Sequence, residues 1–419
     1  MVTASEPRAW RQARSAELPW WPLAVVIVGY PVAWPLGLAP FLPIAGALLM
    51  AALLAARGAV VVRPGVTPFL VMAAWACPAV LALDGAGRLF GWGLRAATLA
   101  SVAVALLYVT NARSASRERV IDALAVLWTA TVIGGWLAVL FPEGGFITPV
   151  GHLAPQGILD NELVHSLLRP RFAETQEPWG APEPLHRPAA PFPYANSWGV
   201  AMVLLTPVAI AAMVPRRAVR WLLAALLVAA VVPAVASSNR GMFLGFAASA
   251  AYVVVRQSFS RRARGAVLSL VTVAILTVLT VALDLPARVS ERQKYSTTTE
   301  GRASLYAETW ERALQSPVLG WGAPRPSVAH EVAVGTQGQV WTMLFSFGVV
   351  GLGLFALALG GLLVRTWPQS EPTDLLLHAT LVAAVSIVGF YGLDTMQWLT
   401  IALVGGVLLR DHHRRRADR

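Results

Sequence analysis

The chain has 419 residues, 56% hydrophobic and only 13% charged, a balance that excludes a soluble protein with a charged shell. Its net charge of +11 comes mainly from arginines placed between apolar runs, so the charge is a topology signal and implies no nucleic-acid partner. The single cysteine, Cys77, lies inside an apolar run, which leaves neither disulfides nor cysteine-ligated metal to consider.

The N-terminal stretch "MVTASEPRAWRQARSAELPWWPLAVVIVG" passes from a basic segment into a long apolar run without a small-residue cleavage site, which predicts a retained helix. Crossing ~30 Å of hydrocarbon takes roughly 17–25 residues, and about twelve apolar runs approach that length. Five lie at 20–36, 39–56, 67–83, 89–110 and 120–141, four at 198–214, 221–236, 242–255 and 266–283, and three at 340–364, 375–390 and 395–409. The fold class is therefore all-α, a polytopic membrane protein with two long extracytoplasmic loops. N-terminal transmembrane helices occupy 1–141, the first loop 142–197, central helices 198–283, the second loop 284–339, and C-terminal helices with a basic tail 340–419. Short loops rich in Lys and Arg stay in the cytoplasm. Arg8, Arg11 and Arg14, Arg57 and Arg63, the 113–119 and 216–220 arginines, Arg256 and the tail from Arg410 all fall on one side. Both termini are expected to be cytoplasmic.

The first outer loop contains the Pro-rich "EPWGAPEPLHRPAAPFPYANSWG" and reads as an irregular segment that returns to the membrane at Asn196. In the second loop, Leu305, Tyr306, Trp310, Ala313 and Leu314 recur near helical spacing, Glu308 and Arg312 form an i,i+4 pair, and Ser316-Pro317 stops the helix. No G-x-x-x-x-G-K-[ST] loop is present, so the sequence offers no site for ATP-driven transport.

The outward-facing residues offer chemistry. Arg240 in "ASSNRGMFLGF" stands between two spans, where an arginine either meets an anion or snorkels to headgroups. Arg187 precedes Asn196, which suits a helix cap as well as a ligand contact. Arg302 opens the loop helix, where a cation opposes the helix dipole unless an anion is alongside, although a solvated arginine fits there equally. Together, guanidinium groups at membrane level suit a diphosphate, because they bind phosphate oxygens bidentately and keep their charge. His152, His165, His186 and His330 are loop histidines, each either a general base or a solvated side chain. No His/Asp/Glu cluster has metal spacing, so the chemistry is expected to need no metal and no other cofactor. A carrier of lipid-linked glycan would also suit this topology, yet His378 and Asp394, the latter just ahead of the last span, are the evident ionisable residues away from loop borders, and coupled carriers need more.

Four stretches, "RPAAPFPYANSWG", "SSNRGMFLGF", "GRASLYAETWERALQSPVLGWGAPRP" and "GTQGQVWTMLFSFGVVGLGLF", in this order over roughly 185–355, resemble the bacterial O-antigen ligase and O-antigen polymerase superfamily of membrane glycosyltransferases. Each stretch is degenerate; their order and position relative to the spans give the resemblance its specificity. The resemblance implies a multi-pass enzyme of the bacterial plasma membrane. It would transfer a glycan from undecaprenyl diphosphate to a glycan, lipid or protein acceptor on the outer face, by inversion and without metal. By motif, Arg240 and Arg302 would hold the donor diphosphate, with Arg187 a third contact. The family's histidine, which helps activate the acceptor hydroxyl, is expected shortly before the first glycine of "GVVG", and Gln337 occupies that position. Glutamine cannot accept a proton and can only orient a hydroxyl. Three readings follow: Gln337 orients the acceptor while the arginines drive departure of the diphosphate, His330 folds back as the base, or the chain binds glycan without transferring it.

Overall fold

The computed structural model describes residues 17–155, 157, 162–177, 184–214, 216–258, 298–328, 332–367 and 371–417. The first helices are α1 (Trp21–Leu36), α2 (Leu42–Arg57), α3 (Thr67–Trp75), α4 (Leu89–Asn111) and α5 (Arg117–Leu140). Two short helices follow, α6 (Pro149–Leu153) and α7 (Glu162–Leu168), then strands β1 (Ala173–Gln176) and β2 (Leu185–Pro188). The rest comprises α8 (Ala195–Met213), α9 (Arg217–Ala229), α10 (Val231–Ser237), α11 (Arg240–Ser258), α12 (Thr298–Ala313), α13 (Gln339–Arg365), α14 (Pro372–Ile387) and α15 (Thr395–Ala417).

Every expected span within the described residues falls on helix; the run at 266–283 lies outside them. Five helical stretches are long and apolar enough to cross a membrane: Ala86–Asn111, Arg117–Leu140, Ala195–Met213, Ala218–Ser237 and Gln339–Arg365. This is fewer than the sequence reading expects: α11 and α15 are long enough but not apolar enough, and other helices are too short. At ~1.5 Å per residue, α1, α2 and α14, each 16 residues, extend only about 24 Å against ~30 Å of hydrocarbon. The helical fold class holds, and the irregular-segment reading needs a correction. β1 and β2 pair antiparallel, with Glu174 opposite Arg187, so part of the segment 142–197 is a hairpin where irregular chain was expected. The helix over 298–313 forms as the spacing predicts.

Position within the fold follows from what each helix presents. The membrane window of α8 is 72% buried, whereas that of α9 and α10 is 17% buried and leaves Trp221, Leu222 and Val228 exposed. α8 is thus the central helix, and α9 is a peripheral one whose apolar face suits lipid. α5 packs on α8 through Gly135, where a side chain would overlap Trp198, and on the segment before α8 through Gly134, where one would overlap the Ala190 backbone. Indole hydrogen bonds then fix the pair, Trp198 Nε1 to Thr131 O at 2.9 Å and Trp128 Nε1 to Thr206 Oγ1 at 3.0 Å.

α13 is broken at Gly348, which has φ 69°. A Cβ there would press on the carbonyls of Pro317 and Val318, so the position requires glycine for both conformation and space. The break frees backbone groups in an apolar setting, and each one identified here finds a partner. Trp321 N–H and Gly322 N–H donate to the carbonyls of Phe345 and Ser346 at 2.8 and 2.9 Å. Val349 N–H donates to Pro317 O at 2.7 Å, and Trp75 Nε1 donates to Phe347 O at 3.0 Å. The loop after α12 is thereby fastened to the kink.

Candidate functional site

A cavity of about 380 Å³ opens where the N-terminus of α13 meets α12, α8 and the connector 388–394. Gln337, Arg302 and Asn196 line it, together with Arg95 from α4, Gln339, and Tyr391 and Asp394 from the connector. Three residues singled out from sequence motifs, far apart in the chain, therefore share one wall.

Backbone geometry sets the wall that holds Gln337. Gly335 and Gly338 have φ of 79° and 150°, and a Cβ on Gly338 would meet the Gly389 carbonyl. The turn "GTQG" therefore presses against the connector. Gln339 N–H donates to Tyr391 O at 2.9 Å, Val340 N–H to Val388 O at 3.1 Å, and Leu393 N–H to Gln339 Oε1 at 2.9 Å. Tyr306 stacks on Trp341 with ring centroids 4.6 Å apart, and its hydroxyl donates to the Gln337 carbonyl at 3.1 Å. Among the described residues the side chain of Gln337 makes one hydrogen bond, Nε2 to Thr336 Oγ1 at 3.3 Å, and it remains half-buried at the cavity.

The arginines differ in how they are held. Arg187 is 4% exposed; its Nε donates to Ser237 O at 2.9 Å, its Nη2 to Asn196 Oδ1 at 3.0 Å, and Glu174 stands 3.7 Å away. Burial lowers its guanidinium below the usual arginine value, and Glu174 partly offsets this. Glu174 also accepts from the Ala195 N–H at 2.8 Å, so a carboxylate from the hairpin satisfies the start of α8. Asn196 does not cap that helix: Tyr194 stands at the N-cap position. Arg302 and Arg95 are held more openly. Among the described residues neither has a carboxylate within ion-pair distance; Arg302 lies 5.9 Å from the centre of the Tyr391 ring, and Arg95 Nη1 donates to Gly91 O at 2.9 Å.

Arg240 does not line the cavity but begins α11 beside it. Gly241 packs against the Tyr391 ring, where any side chain would overlap, and its N–H donates to the Tyr391 hydroxyl at 3.1 Å. Tyr391 thus joins the start of α11 to the cavity. His330 lies outside the described residues. The sequence reading passes over Arg95, although an arginine inside "GWGLRAATLA" is a visible signal in an apolar run. Asp394 is visible in the sequence as an ionisable residue beside a span, but neither its place in the cavity nor that of Tyr391 carries a local mark.

Residues 224–356 match the family model described as O-antigen ligase. The match spans α10, α11, α12, the "GTQG" turn and the kink of α13, and supports the O-antigen ligase and polymerase superfamily. Arg240, Arg302 and Gln337 fall inside the matched segment; Arg95, Arg187, Asn196, Tyr391 and Asp394 fall outside it. The search of curated proteins finds no match.

Proposed function

We propose that this protein is a membrane glycosyltransferase of the O-antigen ligase and polymerase type, which moves a glycan from undecaprenyl diphosphate to an acceptor on the outer face of the bacterial plasma membrane. The observation that carries this reading is a cavity, bordered by the O-antigen ligase match, into which two guanidinium groups are set that have no ion-paired carboxylate among the described residues. A half-buried cation lacking an anionic partner is costly, and a diphosphate would meet that need with bidentate hydrogen bonds. Arg302 and Arg95 would hold the departing diphosphate. Arg240 would reach it from the start of α11, and Arg187 would position Asn196 at the rim. Gln337 would orient the acceptor hydroxyl by hydrogen bonding.

In this mechanism the hydroxyl attacks the anomeric carbon opposite the diphosphate, so the carbon inverts, and the arginines neutralise the charge that develops on the leaving group. No metal is assigned a step. The termini would remain in the cytoplasm, and the sugar and acceptor would be set by surfaces outside the diphosphate pocket.

The test is surface glycan production in cells lacking the native gene. Wild type restores it, and Arg302→Ala lowers it on the order of a hundredfold at equal protein level in the membrane. Full activity of Arg302→Ala would remove the donor-site assignment. A second reading, a non-catalytic glycan-binding protein, is favoured by the glutamine at 337. It expects carrier lipid to bind wild type while no glycan is transferred.

A further inference from the structure

Among the described lining residues the cavity holds one carboxylate, Asp394. It precedes α15, where its Oδ1 accepts from the Gln397 N–H at 3.1 Å and its own N–H donates to Gln397 Oε1 at 2.9 Å, a reciprocal cap. Gln397 is fixed in turn, Nε2 donating to Ser197 O at 2.8 Å. The carboxylate is therefore held at one orientation. Its Oδ2 is buried and is left without a hydrogen bond of good geometry, with the Ser197 side chain the polar neighbour that favours its charged form. Asp394 as a residue is half-buried and lines the cavity. The connector carrying it is tied to the Gln337 turn, since Leu393 N–H donates to Gln339 Oε1 and Gln339 N–H to Tyr391 O, both at 2.9 Å. Asp394 and Gln337 thus border one cavity on two segments locked together.

We infer that Asp394 is the general base of this chain, taking the acceptor's proton in place of the histidine that position 337 lacks. The inference rests on the transferase reading. In the step, the acceptor oxygen bonds to the anomeric carbon as the bond from that carbon to the diphosphate oxygen breaks. The diphosphate leaves with the electron pair, held by Arg302 and Arg95, and the hydroxyl proton passes to Asp394 Oδ2, from which solvent later removes it. Burial raises the Asp394 carboxyl to about 7, with the Ser197 side chain and the Met396 and Gln397 amides opposing the shift. A base tuned close to the working pH is effective because it is both ionised and proton-seeking. Among the described residues, the other titratable or charged groups lining the cavity are Tyr30, Arg95, Tyr194, Arg302 and Tyr391. The pH dependence is therefore assigned by comparing wild type with a variant at position 394.

Asp394→Asn isolates this role, because the amide oxygen can still accept from Gln397 but the side chain cannot take a proton. The purified full chain would be assayed for binding of undecaprenyl diphosphate, and for transfer from undecaprenyl diphosphate-linked glycan extracted from host membranes, across about pH 5 to 9. Asp394→Asn is expected to bind undecaprenyl diphosphate as wild type does and to transfer on the order of a hundredfold more slowly. Wild-type rate should rise with pH through about 7, where the carboxylate forms, and the variant should lack that limb. Gln337→His in the Asp394→Asn background should recover rate, with the limb moved toward the ordinary histidine value of about 6.5. An Asp394→Asn variant with unchanged rate and pH profile would overturn the inference. So would joint loss of lipid binding and rate, which marks a scaffold residue. Lipid binding without transfer by wild type would instead remove the transferase reading and the base with it.

Discussion

At one end of the helices, Arg117 stands 3.0 Å from Glu371, 2.9 Å from Asp374 and 2.9 Å from Asp411, joining the starts of α5 and α14 to the end region of α15. Nearby, Arg410 Nη1 lies 3.2, 2.9 and 2.7 Å from the carbonyls of Val109, Ala112 and Ala115, and so serves the C-terminal end of α4. At the cavity, Arg302 and Arg95 have no such carboxylates among the described residues, and Arg95 bonds only a carbonyl of its own helix. The same side chain thus serves as a clamp where the protein supplies the anion and as a binding group where it leaves that place open. Arg187 shows the intermediate case: it borders the cavity through Asn196, but Glu174 and Ser237 already hold it.

If this contrast is real, damage at the clamp and damage at the cavity must separate. Arg117→Ala would remove an ion-pair partner of Asp374, whose side chain is 0% exposed, and breaking a buried pair in this way costs about 3–5 kcal/mol. Thermal unfolding in detergent should fall accordingly, while the molecules that remain folded bind undecaprenyl diphosphate normally. An unchanged melting temperature would mean that the clamp is not one. Gly348→Ala probes the element between the two ends. Forcing a side chain into the left-handed region costs roughly 1–2 kcal/mol, and here the added carbon also meets the Pro317 and Val318 carbonyls. Both unfolding temperature and transfer should drop, since the kink fastens the loop after α12. Transfer at the wild-type rate would show that the kink does not shape the cavity.

The sequence carries this contrast unevenly. Apolar run lengths place the helices well, because burial and backbone satisfaction in a membrane leave few alternatives to helix. Arg302 and Gln337 are legible through motif order, and the cavity does bring them together. The Arg187–Asn196 contact is hinted at by nearness in the chain. Its true form depends on the hairpin, which the prolines of "RPAAPFPYANSWG" conceal by reading as irregular chain. Asn196 could be read as a cap because its type and position fit one, yet Glu174 from the other strand reaches the Ala195 N–H. Asp394 and Gln397 carry a local capping pattern. Their place beside Gln337 rests on the Gln339 contacts across 54 residues of chain, for which no periodicity exists to be read.

The most direct measurement is the affinity of purified wild type, Arg95→Ala and Arg117→Ala for undecaprenyl diphosphate. A charge-assisted hydrogen bond is worth about 1.5–3 kcal/mol, so Arg95→Ala should weaken binding about tenfold or more. Folded Arg117→Ala should bind like wild type. Equal affinity of wild type and Arg95→Ala, or equal loss in both variants, would contradict the assignment of the open arginines to an anionic ligand.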